Sequence, residues 1–435
     1  MAVLLNLITL ATAVAFASVA HASSSLQDAT ADLQHARNLL ARYQLIDTHV
    51  DTPQVLRVLA RQPLDMLPDL NISLPGQFDL PRARQGGVGG AFFTVWTPCQ
   101  DLLGIDVGQD FQQPDQTIRD TIESIDLIRE MIDYEPSLQY ATTAAEAEQA
   151  FSNGKIAALI GMEGSHMLGN SLSTIRILAR LGVRYLTLTH TCHSSFASSA
   201  GGGAGTDGSF LRPVHPGNGL TAIGRELVKE LNRLGVIVDL SHVSDQTMTD
   251  VLDITDVPIA FTHSGARGVN DHPRNVPDEI LARIGPGKNE GIIQSVLFKH
   301  FIDSNNATIP RVVDHVEYIA LHTSRQHVGL ASDFDGMGEV VEGMEDCSKW
   351  PSLVAEFIRR GWTDEEIKGL LGGNLLRVMR AVEQAAYRRR DERPSSAIYG
   401  KRTDLPASNW GGPNGAYLPG KVKAIVDRRH LRDEL

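Results

Sequence analysis

Early in the chain, His49 and Asp51 set an imidazole and a carboxylate two residues apart. In an extended strand, residues i and i+2 face the same way, so one cation could take both. Further residues of the same chemistry follow: Glu163, His190, His242, His263 and Asp333. Neutral imidazoles and carboxylates suit Zn²⁺, and two such ions can share one carboxylate. Glu163, with two oxygens, is the expected bridge. His49 and Asp51 would complete one ion's ligands, and His242 and His263 the other's. Mn²⁺ and Fe²⁺ accept the same donors. Two ions about 3.5–4 Å apart can hold a hydroxide and bring its pKa toward neutrality, which makes it a nucleophile. A single His-x-Asp is common by chance, and a lone histidine is more often structural. The signal lies in their joint placement.

That placement follows from the elements around them. Eight short β-rich runs are expected: Leu45–Asp51, Gly89–Trp96, Ile156–Glu163, Tyr185–His190, Val236–His242, Ile259–His263, Gly291–Val296 and His327–Asp333. Each residue named above falls at the end of one of these runs. Helical patterns lie between them, among them Thr117–Tyr134, Ser171–Leu181, Gly219–Leu234, Ser244–Ile254 and Ile309–His322. Strands alternating with helices imply a parallel sheet. Eight such units point to a (β/α)8 TIM-type barrel, whose active sites sit at the C-terminal ends of the strands. A doubly wound sheet would carry a Gly-rich turn after its first strand. Here that strand runs into His49-Val50-Asp51-Thr52-Pro53 instead.

Composition agrees with a globular enzyme. Of 435 residues, 42% are hydrophobic and 21% charged, which excludes wholesale disorder. The net charge of −12 argues against a nucleic-acid partner or adhesion to an anionic membrane. Three cysteines form no framework. Cys99 and Cys192 each follow an expected strand and could pair. Cys347 would then be left over, either buried and inert or linking two chains.

Residues 1–22 read as a signal peptide: an apolar run followed by Ala20-His21-Ala22. A membrane anchor is the alternative. The barrel domain is expected over 23–387. Residues 388–435 form a C-terminal extension ending in Arg432-Asp433-Glu434-Leu435, similar to a retrieval signal of the endoplasmic reticulum. Sequons at Asn71 and Asn306 fit a secreted glycoprotein. The Gly-rich stretch Ser194–Asn218 reads either as an insertion or as a mobile loop over the barrel mouth.

The chain resembles the membrane (renal) dipeptidases, peptidase family M19. The matching segments are IDTHVD at 46–51, GGVGGAFFTVW at 86–96, GMEG at 161–164, YLTLTHTC at 185–192, VDLSHVS at 238–244, FTHSGA at 261–266, RNVPD at 274–278, GLASDFDG at 329–336 and GNLLRV at 373–378. They run from about residue 40 to 380. The resemblance implies a barrel of the amidohydrolase type that hydrolyses free dipeptides. It implies two zinc ions per subunit on His49, Asp51, Glu163, His242 and His263. It implies substrate contacts from His190, Arg274 and Asp333, a homodimer, and a Cys99–Cys192 disulfide like that of animal members. His193 departs from the Asn usual in the animal enzymes, and their glycolipid-anchor signal is missing. A soluble enzyme with no membrane anchor is implied, secreted or retrieved to the endoplasmic reticulum.

Roles follow from chemistry. An Arg binds a carboxylate bidentately where Lys cannot, so Arg274 is the expected clamp on the dipeptide's C-terminus. His190 would donate to the oxyanion. Asp333 would carry the proton, with Asp335 as runner-up. His166, His193, His215 and His272 stand outside the primary set. Two other readings compete. An amidohydrolase of cyclic amides would show His-x-His on its first strand and a lysine bridge. A non-catalytic binding protein would have lost ligands.

Overall fold

The computed structural model describes residues 29–60, 71, 73–99, 115–201, 219–399, 419–422 and 424. The expected signal peptide, the terminal Arg-Asp-Glu-Leu, residues 202–218 of the Gly-rich stretch and His215 lie outside the described residues.

Among the described residues, nine strands form one parallel sheet. They are β1 (Leu45–Val50), β2 (Val88–Val95), β3 (Leu138–Tyr140), β4 (Ile156–Glu163), β5 (Val183–Thr187), β6 (Ile237–Asp239), β7 (Ala260–Ser264), β8 (Ile292–Ser295) and β9 (Val328–Leu330). Eight make a circuit in the order β1-β2-β4-β5-β6-β7-β8-β9, and β3 pairs with β4 off that path. The circuit closes where Val50 bridges Phe334 in parallel. There Asp51 N donates to Phe334 O at 2.8 Å and Asp333 N to His49 O at 3.1 Å. The fold is the expected (β/α)8 TIM-type barrel.

All eight expected strands are present. β3 is an addition, and its three residues are too few to show an alternating pattern. The larger difference is where strands stop. β5, β6 and β9 end at Thr187, Asp239 and Leu330, three residues short of His190, His242 and Asp333. Those three residues sit in loops at the barrel mouth, not on strands. His242 and Asp333 take φ values of 65° and 64°, a left-handed backbone that no strand can hold. Two expected helix starts, Ser171 and Ser244, are caps that accept from the backbone N–H of Ser173 and Thr247, and the helix expected from Gly219 is capped at Thr221, which accepts from Gly224 N.

Alternate residues of β4, Ala157, Leu159 and Glu163, share one face. Ala157 and Leu159 pack with Phe92 and Tyr185, and Leu375 and Met379 of the helix Asn374–Arg388 join the same buried cluster. The barrel is therefore filled by apolar side chains up to the level of Glu163. The helix Asn374–Arg388 ends where the C-terminal extension is expected to begin. Beyond it, Ser395 Oγ donates to Glu226 at 2.8 Å, which lays this part of the extension against the helix Ala222–Leu234. Among the described residues, no helix is long and apolar enough to cross a membrane.

Cys99 and Cys192 form a disulfide with a Cα–Cα distance of 5.8 Å, joining the loops after β2 and β5. Cys347 is free and buried, and that burial pushes its thiol well above the usual range. Of the sequon residues, Asn71 donates to Glu135 at 2.6 Å and accepts from Arg84 at 3.0 Å, while Asn306 is exposed. A non-reducing peptide map is expected to recover the Cys99–Cys192 peptide, with Cys347 alkylated only after unfolding. Removing the bridge by the double Cys→Ala change is expected to cost about 2–4 kcal/mol in denaturant unfolding.

Candidate metal centre and substrate site

Glu163 closes β4 and lies at the centre of the mouth. Its Oε1 stands 2.9 Å from His242 Nε2 and 3.2 Å from His263 Nε2. Its Oε2 stands 3.6 Å from His49 Nε2 and 4.0 Å from His190 Nε2. The two oxygens thus face different imidazoles. His49 Nε2 also lies 3.4 Å from Asp51 Oδ2 and 3.8 Å from Asp333 Oδ1. The five residues expected to hold metal, all buried, form one continuous cluster with the half-buried His190 and Asp333. Donor atoms group within 4.8 Å of one another as His49–Asp51–Asp333, His49–Glu163–His263 and Glu163–His190–His242. His263 therefore reaches both sides of Glu163, its ring only 3.9 Å from that of His49.

These residues fit divalent cations. His49 Nε2, His263 Nε2, His242 Nδ1 and Asp51 Oδ1 are buried with no hydrogen-bond partner among the described residues. Such orphaned atoms are rare unless an ion or water satisfies them. Three carboxylates crowd the same buried space, which is costly without positive charge. Burial pushes the Asp333 carboxyl up to about 8, and the negative Asp51 and Glu163 add to it. Burial also opposes the ionised form of Glu163, but His49, His190 and His242 outweigh it and hold that carboxyl well below its usual range. Burial, with Arg274 and neighbouring imidazoles, pushes His242 and His263 well down, which keeps them neutral and able to coordinate.

Arg274 is the most unusual charge in the molecule. Only 2% of it is exposed. Its Nη2 donates to His263 O at 3.3 Å and its Nη1 to Ser264 Oγ at 3.5 Å, while Nε has no partner. The guanidinium lies 4.9 Å from the centre of the Phe301 ring. No carboxylate comes within 4.0 Å of it among the described residues. Burial pulls its pKa down to about 10, so it stays charged at neutral pH. The loop carrying it is pinned by Asn275, which accepts from Gly265 N at 2.9 Å and donates to Phe301 O at 2.7 Å.

His190 sits beside the disulfide, edge-on to Trp96. Burial lowers its pKa to about 4. Asp335, the runner-up proton carrier, is tied up. Its carboxylate accepts from Thr52 Oγ1 at 2.6 Å and from Gln77 N at 2.5 Å. His166, His193 and His272 bond to the backbone of Thr97, Ser199 and Arg274, as befits loop anchors.

Sequence reasoning missed three residues around the cluster. Asp239 accepts from Thr187 Oγ1, Thr262 Oγ1, Thr262 N, Ser241 Oγ and Ser241 N at 2.5–3.1 Å, so it ties β5, β6 and β7 together. Asp47 accepts from Ser332 N at 2.9 Å and His49 N at 3.3 Å, on either side of the barrel seam. Burial raises its pKa to about 6. Tyr185 places its hydroxyl 2.9 Å from His49 Nδ1. A signal existed for Asp47: Asp47, His49 and Asp51 recur with period two, and a buried strand spends an acid only where donors await it. Tyr185 reads as an ordinary strand aromatic.

Known proteins are similar to this chain in sequence and in fold. The profile of the membrane dipeptidases, peptidase family M19, matches residues 33–393. An uncharacterised dipeptidase of Schizosaccharomyces pombe is 38% identical over 386 residues, covering 87% of this chain and 88% of its own. Among solved structures, a probable dipeptidase from Pseudomonas aeruginosa superposes with a TM-score of 0.71 at 23% identity, over 82% of this chain and all of that one. A Rhodobacter sphaeroides metallopeptidase, bound to a phosphinate mimic of L-Ala-D-Ala, superposes with a TM-score of 0.64 at 24% identity, over 78% and 99%. With its barrel, its cation-ready cluster and a family match spanning most of its length, the chain belongs to the membrane dipeptidase family, peptidase family M19, and is a peptide-bond hydrolase.

Proposed function

We propose that this chain is a zinc-dependent dipeptidase that binds two ions, with Glu163 shared between them. One observation carries the reading: a buried carboxylate whose two oxygens face separate imidazoles, on the same barrel mouth as a buried guanidinium with no acid partner among the described residues. His49 and Asp51 would complete one site, and His242 and His263 the other. When bound, the ions supply Lewis acidity at the scissile carbonyl and a hydroxide at neutral pH.

The chain's own residues do the rest. Arg274 holds the C-terminal carboxylate of the dipeptide, replacing bonds its guanidinium lacks in the free enzyme. His190 is neutral at working pH. With Nδ1 accepting from Thr191 Oγ1 at 3.2 Å, its Nε2–H is free to donate to the developing oxyanion. Asp333, ionised where the charge of bound ions offsets the burial that raises its carboxyl, would take the proton of the attacking water and deliver it to the leaving amine. A free carboxylate on the substrate is what sets this reading apart from hydrolysis of a cyclic amide, which offers Arg274 no anion.

We also propose a soluble homodimer of the secretory pathway, secreted or held in the endoplasmic reticulum by its terminal Arg-Asp-Glu-Leu. The signal-like leader, the sequons at Asn71 and Asn306 and a disulfide, which persists in oxidising compartments, support this.

Dialysis against a chelator is expected to abolish turnover of a dipeptide panel, and zinc to restore it. Plasma emission should count two zinc ions per chain. His49→Ala and His263→Ala should each lower turnover by more than about a hundred-fold with the fold largely intact. Turnover equal to wild type in either variant would refute the metal assignment.

Arg274 gives a sharper test. Wild type should cleave a dipeptide and discriminate against its C-terminal amide by roughly 2–5 kcal/mol, about thirty- to several-thousand-fold in kcat/KM. Arg274→Ala should lose that preference while keeping its zinc. Arg274→Lys should recover little, since a point charge lacks the fork. If the preference survives intact in Arg274→Ala, the clamp is elsewhere.

A further inference from the structure

We propose that Tyr185 is a positioning residue of the metal centre, fixing the tautomer and ring angle of His49, and that Gly161 leaves the space this phenol needs. The inference rests on the reading of His49 as a metal ligand.

His49 is fully buried, and its Nε2 faces the carboxylates of Asp51, Glu163 and Asp333 at 3.4, 3.6 and 3.8 Å. An imidazole can offer the Nε2 lone pair to a cation only when its proton sits on Nδ1. Nδ1 lies 2.9 Å from the Tyr185 hydroxyl. That hydroxyl in turn lies 3.4 Å from Thr94 Oγ1. The proton positions follow in one direction. His49 Nδ1–H donates to Tyr185 Oη, and Tyr185 Oη–H donates to Thr94 Oγ1, leaving Nε2 free toward the carboxylates. Ligating histidines generally donate their second N–H to a neighbouring acceptor that fixes the ring.

The backbone prepares this contact. Gly161 of β4 is the register partner of Tyr185 on β5. A Cβ at position 161 would come within 2.1 Å of Tyr185 Cζ and 2.4 Å of its hydroxyl oxygen. The glycine therefore serves space. Any larger residue would drive the hydroxyl off His49. From another side Phe92 packs against the Tyr185 ring at 5.2 Å. His263 shows the same principle with another end group: its Nδ1 lies 3.0 Å from Thr262 Oγ1, which donates to the Asp239 carboxylate at 2.7 Å.

The test uses the full chain and zinc alone, without substrate. Zinc affinity at each site is measured by competition with a chelator, stoichiometry by plasma emission, and the melting temperature on metal-free protein. In Tyr185→Phe, which removes one oxygen and keeps the ring, one of the two sites should weaken about 10–100-fold and the other stay near wild type. Gly161→Ala keeps the hydroxyl but displaces it, and should weaken the same site. If Tyr185→Phe fails to fold, Thr94→Val removes the acceptor of the phenolic proton, leaves every ligand in place, and should weaken that site too. Wild-type affinity at both sites in the folded Tyr185→Phe protein, or a loss confined to the melting temperature of the metal-free form, overturns the proposal. Wild-type protein that holds no zinc overturns the metal reading beneath it, a result distinguishable from either.

Discussion

The structure turns on the cost of keeping the Glu163 carboxylate out of water. Burying an ionised carboxylate is among the most expensive acts in folding, unless hydrogen bonds, opposite charges or a metal compensate it. Glu163 is ringed by imidazoles, with Asp51 and Asp333 close by. Seen from that constraint, much of the barrel mouth is support. Asp239 gathers donors from three strands, and Asp47 gathers donors from both sides of the seam. Each buried acid has donors in place or cation ligands beside it.

The same constraint explains the backbone. A strand alternates its side chains, so it cannot aim two successive groups at one point. His242 and Asp333 reach the cluster because the chain turns left-handed at each. A non-glycine residue held there costs of order 1–3 kcal/mol. Asp333 is held by its N–H to His49 O, one of the bonds that close the barrel. His242 is held through its carbonyl, which accepts from Ala200 N at 2.8 Å and Thr189 Oγ1 at 3.1 Å. Strain at Asp333 and closure of the fold are thus coupled, and loosening the seam at His49–Asp333 would also release a candidate proton carrier.

How far this was legible in sequence depends on the kind of signal. The eight barrel strands and the helices between them are written in apolar runs and caps, which are local. His49, Glu163 and His263 lie on strands as their apolar runs imply, and Asp51 follows directly after β1. His190, His242 and Asp333 were assigned to strands because the apolar pattern before each shows no break. The left-handed turns at His242 and Asp333 depend on bonds from residues far along the chain, such as Asp333 N to His49 O, which no local window contains. Tyr185 and Asp239 were invisible for the same reason: their partners lie on neighbouring strands, at separations of 136 residues for Tyr185 with His49 and 52 for Thr187 with Asp239.

On the function proposed here, substrate length is also a property of the fold. Arg274 donates to the backbone carbonyl of His263, the residue whose ring faces Glu163. Clamp and candidate ligand are therefore joined through one residue, and the distance between them is set by that residue's covalent geometry and one hydrogen bond. Phe301 lies against the guanidinium, and Asn275 pins the loop to Phe301 O. A clamp so fixed cannot retreat to admit a longer peptide. On that reading, a substrate whose terminal carboxylate lies one residue beyond the scissile carbonyl would satisfy both ends at once. The preference for dipeptides then needs no wall at the far end of the site, only a rigid span between a buried charge and a buried carboxylate.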